Sequence, residues 1–430
     1  MIARPLTLRT VGSATKAARR TISNANSTIS SSRPLLTQPR KQNRIPASYY
    51  RGGTSRGLIF NVRDLPSEAA DWDAIFRGTL GSPDPNGRQL DGLGGGISSL
   101  SKICVVGPAQ RPDADVAFTF VQVGIKDGAI DYSGNCGNLM AAIGPYAVDS
   151  GIISLKDRQE SATVRIYNTN TDKIVESTFP VRNGEAATAH GDLAIDGVAG
   201  TGAKIRLDFL DPAGSKTGRM FPTGSVVDVI DGVRTTCVDV GNPCIFLLAE
   251  ELGIDGTMLP DATAQTPGLL EKLERIRAQA AVKMGMAATL DAVPASIPKV
   301  CFVSPPRTHR LLSGEEMQAD KVDIVTRAIS VGQPHKALPI TAGLAMSAAA
   351  GVAGTVVQEC YALSRRSPPP SPSSSSASCA SRRSNSEDEL VIGHASGKLD
   401  VGAKFVNGEL ERVTVFRTAR RLMEGTVFWK

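Results

Sequence analysis

Apolar positions along the chain fall into two successive cycles, each rich in predicted strands and each containing a wholly apolar helix. In the first cycle Leu58-Ile59-Phe60 predicts a short strand after a glycine-rich turn, and Asp71 to Leu80 predicts a helix. A loop of residues 81–96 with six glycines follows, and Lys102 to Val106 resumes a strand. Val116 to Ile125 alternates as a strand, and Leu139 to Val148 is apolar and of helical length. Strands are predicted around Val164 to Tyr167, Lys173 to Phe179 and Ala203 to Phe209, separated by Asn, Asp and Gly turns.

The second cycle opens near Pro222. Val226 to Ile230, Thr235 to Val240 and Cys244 to Leu248 predict strands, and Thr266 to Met286 a long helix. Lys299 to Val303 predicts a strand and Lys321 to Ser330 a helix. Thr341 to Val352 predicts a helix of small residues, which lets other elements approach closely and places it inside a sheet. Strands at Val413 to Arg417 and Thr426 to Trp429 close the chain. The repetition implies two similar α/β halves, 46–221 and 222–430, with a site between them. Residues 364–386 stand apart: of 23 positions, eleven are Ser, four Pro and four Arg. Such a segment cannot bury enough surface to fold, and it is expected to be a disordered insertion.

Charge changes the picture of the N-terminus. The chain has 48 Lys and Arg against 42 Asp and Glu, a formal net of +6. Residues 1–63 hold 12 of the bases and no acid, so residues 64–430 carry 48 − 12 = 36 bases against 42 acids, a net of −6. The basic balance therefore belongs to the leader, which argues against nucleic acid as a partner of the body. Residues 1–45 are rich in Arg, Ser and Thr. Leu6, Leu8, Val11, Ala14, Ala17 and Ala18 can share one side of a helix. That is the composition of a mitochondrial transit peptide, which implies a matrix location, or of a disordered tail with no address, which leaves the protein cytoplasmic. No apolar run is long enough for a membrane span. The seven cysteines are scattered and odd in number, as expected of reduced thiols.

Metal chemistry has little support, since His190, His309, His335 and His394 are isolated and no paired CxxC or HExxH occurs. No P-loop, Rossmann fingerprint or GxSxG elbow is present. Three clusters carry candidate chemistry. The first, Arg51-Gly52-Gly53-Thr54-Ser55-Arg56-Gly57, offers amides, hydroxyls and guanidiniums to a carboxylate, or is a plain turn. In the second, Gly92 to Lys102, Ser98 and Ser99 add donors and Lys102 opens an apolar strand. A lysine there either snorkels outward or is desolvated and able to act as a base. The third, Ser133-Gly134-Asn135-Cys136-Gly137-Asn138, runs straight into the apolar Leu139 helix. A cysteine at a helix N-terminus sits where the dipole and free amides favour negative charge.

At these residues the sequence resembles the 2-methylaconitate cis-trans isomerase family. RGGTSRG, LDGLGGGISSLSK, DYSGNCGNLMAAIGPYAV, VDVGNPCIF and GHASGKLDVGA carry the resemblance, over residues 46–430 apart from the insertion. The resemblance implies the diaminopimelate-epimerase-like fold: two similar α/β domains, each a mostly antiparallel sheet rolled around a central helix. Leu139 to Val148 and Thr341 to Val352 would be those helices. Epimerases of this fold pair two cysteines. Here Cys136 matches the first, but the second helix opens on Pro339-Ile340-Thr341 without one. The isomerases instead pair the cysteine with a lysine, which matches Lys102.

The resemblance thus implies a cofactor-free isomerase of unsaturated tricarboxylates, with Lys102 and Cys136 moving the proton. Substrate contacts are expected from Arg51, Thr54, Ser55, Ser98, Ser99, Asn135, Gly137, Asn138, Asn242, His335 and Ser396. Oxalomesaconate tautomerisation and a non-catalytic accessory role to an aconitase-like dehydratase are the alternatives. The expected partner is the small-molecule substrate, with neither nucleic acid nor membrane, and the fold suggests a homodimer.

Overall fold

The computed structural model describes residues 41–366 and 389–430. The first half of the body opens with a hairpin, β1 (Asn43–Gly52) and β2 (Ser55–Asn61), antiparallel with Tyr50 opposite Gly57. α1 (Trp72–Leu80) crosses over to β3 (Lys102–Pro108), which runs parallel to β2. β4 (Val116–Val123) returns antiparallel beside β3. α2 (Gly137–Asp149) then leads to β5 (Ser161–Asn168), parallel to β4. β6 (Lys173–Arg182) and β7 (Ile205–Leu210) follow, each antiparallel to its predecessor.

The second half repeats this plan strand for strand. β8 (Val233–Val240) and β9 (Asn242–Leu248) form the hairpin. α3 (Leu269–Lys283) crosses to β10 (Lys299–Ser304), parallel to β9, and β11 (Ile324–Ser330) returns antiparallel. α4 (Ile340–Ala350) and α5 (Val356–Arg366) lead to β12 (Glu389–His394), parallel to β11. β13 (Gly397–Val406) and β14 (Glu409–Arg417) complete the series antiparallel. The halves join where β7 pairs with β14. The last strand, β15 (Ala419–Trp429), pairs antiparallel with β1 across its length.

Each half wraps its sheet around one helix. α2 is buried from Gly137 to Val148 and α4 along its whole length, so neither has a polar face. The small side chains of α4 are what permit enclosure: a Cβ on Gly343 would come within 2.5 Å of Leu399. In α2, a Cβ on Gly144 would stand 2.7 Å from Phe179. The opposite sheet faces are covered by α1, through Phe76 and Leu80, and by α3, through Leu273 and Ile276. Each such fully buried side chain contributes about 1.5–3 kcal/mol relative to an exposed one.

Several expectations change. Residues 324–330 form strand β11, not the helix expected from Lys321 to Ser330. All seven residues are buried, and the β-branched Ile324, Val325, Thr326 and Ile329 suit a pleated core strand. The long helix begins at Leu269 rather than Thr266, after Pro267 and a left-handed Gly268. Strand structure already starts at Asn43, inside the expected leader. The rest of that leader, residues 1–40, lies outside the described residues. So does most of the expected insertion, although residues 364–366 end α5. Among the described residues no helix is long and apolar enough to cross a membrane.

Candidate active site

The N-termini of α2 and α4 meet. A Cβ on Gly137 would lie 2.8 Å from Ile340 Cγ2, so glycine permits this approach. Beside the meeting point a cavity of about 560 Å³, including its open mouth, is lined from both halves. The first half supplies Thr54, Ser55, Ser98, Ser99, Lys102, Asn135, Cys136, Gly137 and Asn138. His335 comes from the second half. Ten residues singled out in the sequence therefore converge.

Cys136 occupies the N-cap position of α2, where its thiol makes no capping hydrogen bond, and is 8% exposed. Its Sγ lies 3.8 Å from Ser55 Oγ, to which the thiol donates. The helix presents first-turn amides that no intrahelical acceptor uses. Lys102 is the first residue of β3, and its Nζ donates to Gln122 Oε1 at 2.6 Å. The ammonium also stands 4.9 Å from the centre of the Phe120 ring. Burial pulls the Lys102 amine below its ordinary range, and the neighbouring Cys136 works against that shift.

The RGGTSRG turn is built around Asn138. Asn138 Nδ2 donates to Thr54 Oγ1 at 3.1 Å, and the Thr54 amide donates to Asn138 Oδ1 at 3.4 Å. Gly53 has φ +46°, and any Cβ there would overlap Asn138 Oδ1. Arg51 takes no part in lining the cavity. Its Nη1 donates to the carbonyls of Gly53 and Thr418 and to Thr418 Oγ1, stapling the turn to the start of β15.

Asn242 and Ser396 also stand outside the lining. Asn242 Nδ2 donates to the Asn135 carbonyl at 2.9 Å, bracing the cysteine loop from behind. Ser396 Oγ donates to the Lys336 carbonyl at 2.6 Å. His394 and Lys398, from the same segment, face a neighbouring cavity that shares only Thr54 and Ala337 with the first. His335 is pushed down to about 3 by burial and then by Lys102 and Lys299, which makes its imidazole a neutral group at pH 7.

Sequence reasoning misses Gln122, Ser296, Lys299, Ser330 and Thr341 in the lining. For Lys299 the signal is present, because a lysine opens an apolar strand there just as Lys102 does. Among the described residues no Asp or Glu lines the cavity. Among the described residues no cluster of His, Cys, Asp and Glu is arranged to hold a metal. The arrangement suits an anionic ligand: two amines, hydroxyls and a helix N-terminus face one space.

Across most of its length the chain is similar to known proteins. The profile described as PrpF protein matches residues 42–367. The chain is 38% identical over 396 residues to the 3-methylitaconate isomerase of Eubacterium barkeri, covering 90% of this chain and 97% of that one. It is 37% identical over 407 residues to the 2-methyl-aconitate isomerase of Shewanella oneidensis, again covering 90% and 97%. A crystal structure of methylitaconate-delta-isomerase superposes with a TM-score of 0.71 at 37% identity, covering 91% of this chain and 96% of that chain.

Proposed function

Because the chain belongs to the PrpF protein family, we propose that it is an isomerase of aconitate-type unsaturated tricarboxylates, acting by removal and return of an allylic proton. The observation that carries this reading is the acid-free cavity in which Lys102 and Cys136 stand on adjoining elements. An allylic C–H beside a carboxylate-conjugated double bond is acidic enough for a side-chain base once the resulting charge is stabilised. One member of the Lys102 and Cys136 pair takes the proton. The electron pair delocalises through the former double bond onto the carboxylate. The central bond then has reduced double-bond character and can rotate. Return of the proton to the same carbon gives cis-trans isomerisation; return to the far carbon moves the double bond. No electrons enter or leave, so the chemistry calls for no redox or organic cofactor.

Charge stabilisation falls to residues that line the cavity. The amides of Gly137 and Asn138, with Thr54, Ser55, Ser98 and Ser99, supply donors for the carboxylates and the developing dienolate. The neutral His335 can donate a hydrogen bond without adding charge. The basic leader preceding β1, which begins at Asn43, is read as a mitochondrial address.

Proton NMR of the full-length protein with cis-aconitate, trans-aconitate and 2-methylaconitate in deuterated water tests the reading. Isomer interconversion with deuterium entering the allylic position is expected for at least one of these. Unchanged spectra with all three would overturn it.

A further inference from the structure

The repeated topology puts a second lysine where the first one stands. β3 and β10 are equivalent strands: each follows a helical crossover, runs parallel to the strand before it and opens on a lysine. Those residues are Lys102 and Lys299, only 9% and 8% exposed, and both line the cavity. Lys102 meets Gln122 Oε1 at 2.6 Å. Lys299 has a poorer partner, the Ser296 carbonyl at 3.3 Å. An ammonium has three hydrogens, so among the described residues most of the donor capacity of Lys299 is unused. Among those residues neither lysine forms an ion pair, although buried charges are normally paired. The cavity lining supplies no carboxylate to either.

The two halves differ at their central helices. α2 starts after Cys136, whereas α4 starts after Pro339, so the second half brings no thiol to the cavity. What it does bring at the equivalent strand is an amine with no ion-pair partner among the described residues, Asp131 acting on it only from a distance.

We propose that Lys299 binds a carboxylate of the substrate, anchoring it from the second half while Lys102 and Cys136 in the first half move the proton. This rests on the isomerase reading for its substrate class. No covalent step is assigned to Lys299: it stays an ammonium and gives hydrogen bonds to the carboxylate. The substrate supplies the negative charge that the protein withholds.

The test uses full-length wild type, Lys299→Met, Lys299→Gln and Lys299→Arg, with propane-1,2,3-tricarboxylate as a ligand that cannot isomerise. Calorimetry should show affinity weakened on the order of 10- to 100-fold in the Met and Gln variants, the value of a charged hydrogen bond. The Arg variant should recover much of that loss. In turnover assays KM should rise by a similar factor in the Met variant, with kcat changed far less. Thermal melting should show the Met variant at least as stable as wild type, because a buried unpaired amine has been removed.

Unchanged affinity in the Met and Gln variants would overturn the proposal, as would failure of the wild type to bind the tricarboxylate. A collapse of kcat at constant affinity would overturn it in favour of proton transfer. Calorimetry does not depend on turnover. Tricarboxylate binding lost in the variants, without isomerisation by the wild type, would sustain the anchor and sink only the isomerase reading.

Discussion

Gln122 fixes the direction of the Lys102 ammonium. Both hydrogens of the Gln122 amide are already taken, Nε2 donating to the carbonyls of Ser98 at 3.2 Å and Ser101 at 2.8 Å. Its Oε1 is therefore committed to Nζ of Lys102 at 2.6 Å. Gln122→Glu places a negative charge at that contact and favours the ammonium. The Lys102 pKa, lowered by burial in the native site, should rise. The limb of the pH–rate profile that reports Lys102 should move to higher pH. Gln122→Leu should leave that limb near its original place but cut kcat, because the amine is no longer aimed. A profile unmoved by Gln122→Glu would remove Gln122 from the proton path.

Loss of either proton-handling group should be severe. Lys102→Ala and Cys136→Ser should each slow deuterium incorporation into aconitate by roughly 10²–10⁴-fold, the usual scale of general acid–base catalysis. Binding of propane-1,2,3-tricarboxylate should survive in Cys136→Ser, since the hydroxyl keeps the cap position. Full exchange in either variant would exclude that residue from the chemistry.

Gly53 should be irreplaceable while another left-handed glycine is not. Gly53→Ala forces a Cβ into φ +46° and onto Asn138 Oδ1. The backbone strain alone costs roughly 1–3 kcal/mol, and the Thr54–Asn138 pairing must open as well. Both thermal stability and activity should fall. Gly184 has φ +83° with no atom within 4 Å of its missing Cβ. Gly184→Ala should cost about 1 kcal/mol and leave kcat unchanged. Equal activity losses in the two variants would show that the Gly53 turn has no special link to the site.

Acid should destabilise the fold through His394. Burial first, then Arg417 and Arg327, push its imidazole down to about 3 from an ordinary 6.5. Between those values the unfolded chain binds the proton and the native one does not. Stability from this residue is complete above about pH 6.5 and is lost as pH falls towards 3. One pH unit below 6.5 the loss is about 1 kcal/mol. Denaturant titrations at pH 7.5 and 5.5 should show it, and His394→Gln should flatten the difference. An equal pH slope in that variant would assign the effect elsewhere.

Much of this architecture is legible in the residues alone. The apolar runs at Leu139 and Thr341 identify both central helices, because a helix with no polar face has nowhere to go but inside. Lys102 and Cys136 are legible as exceptions: a charge opening an apolar strand and a thiol entering an apolar helix. Lys321 to Ser330 misleads because charged positions at one end imitate helical spacing, while burial on both faces of a core strand leaves no period-2 pattern. Arg51, Asn242 and Ser396 belong to the motifs of the site, yet each donates to a backbone carbonyl beside it and none lines the cavity. Sequence spacing does not say which way a polar side chain turns within a glycine-rich loop. Lys299 is legible in the same way as Lys102, since Lys299-Val300-Cys301-Phe302-Val303 echoes Lys102-Ile103-Cys104-Val105-Val106, but only strand pairing shows that the two positions are equivalent.

The pairing of β1 with β15 ties Asn43 to Trp429 and Gly52 to Ala419, nearly the full length of the described body. The half bearing Lys102 and Cys136 therefore cannot complete its sheet without β15, a strand that follows the whole second half. A chain cut before Thr418 leaves β1 with one edge unpaired and Arg51 without its Thr418 acceptors. Assembly of the reactive centre is thereby coupled to the folding of the second half, so the first half alone is not a finished folding unit.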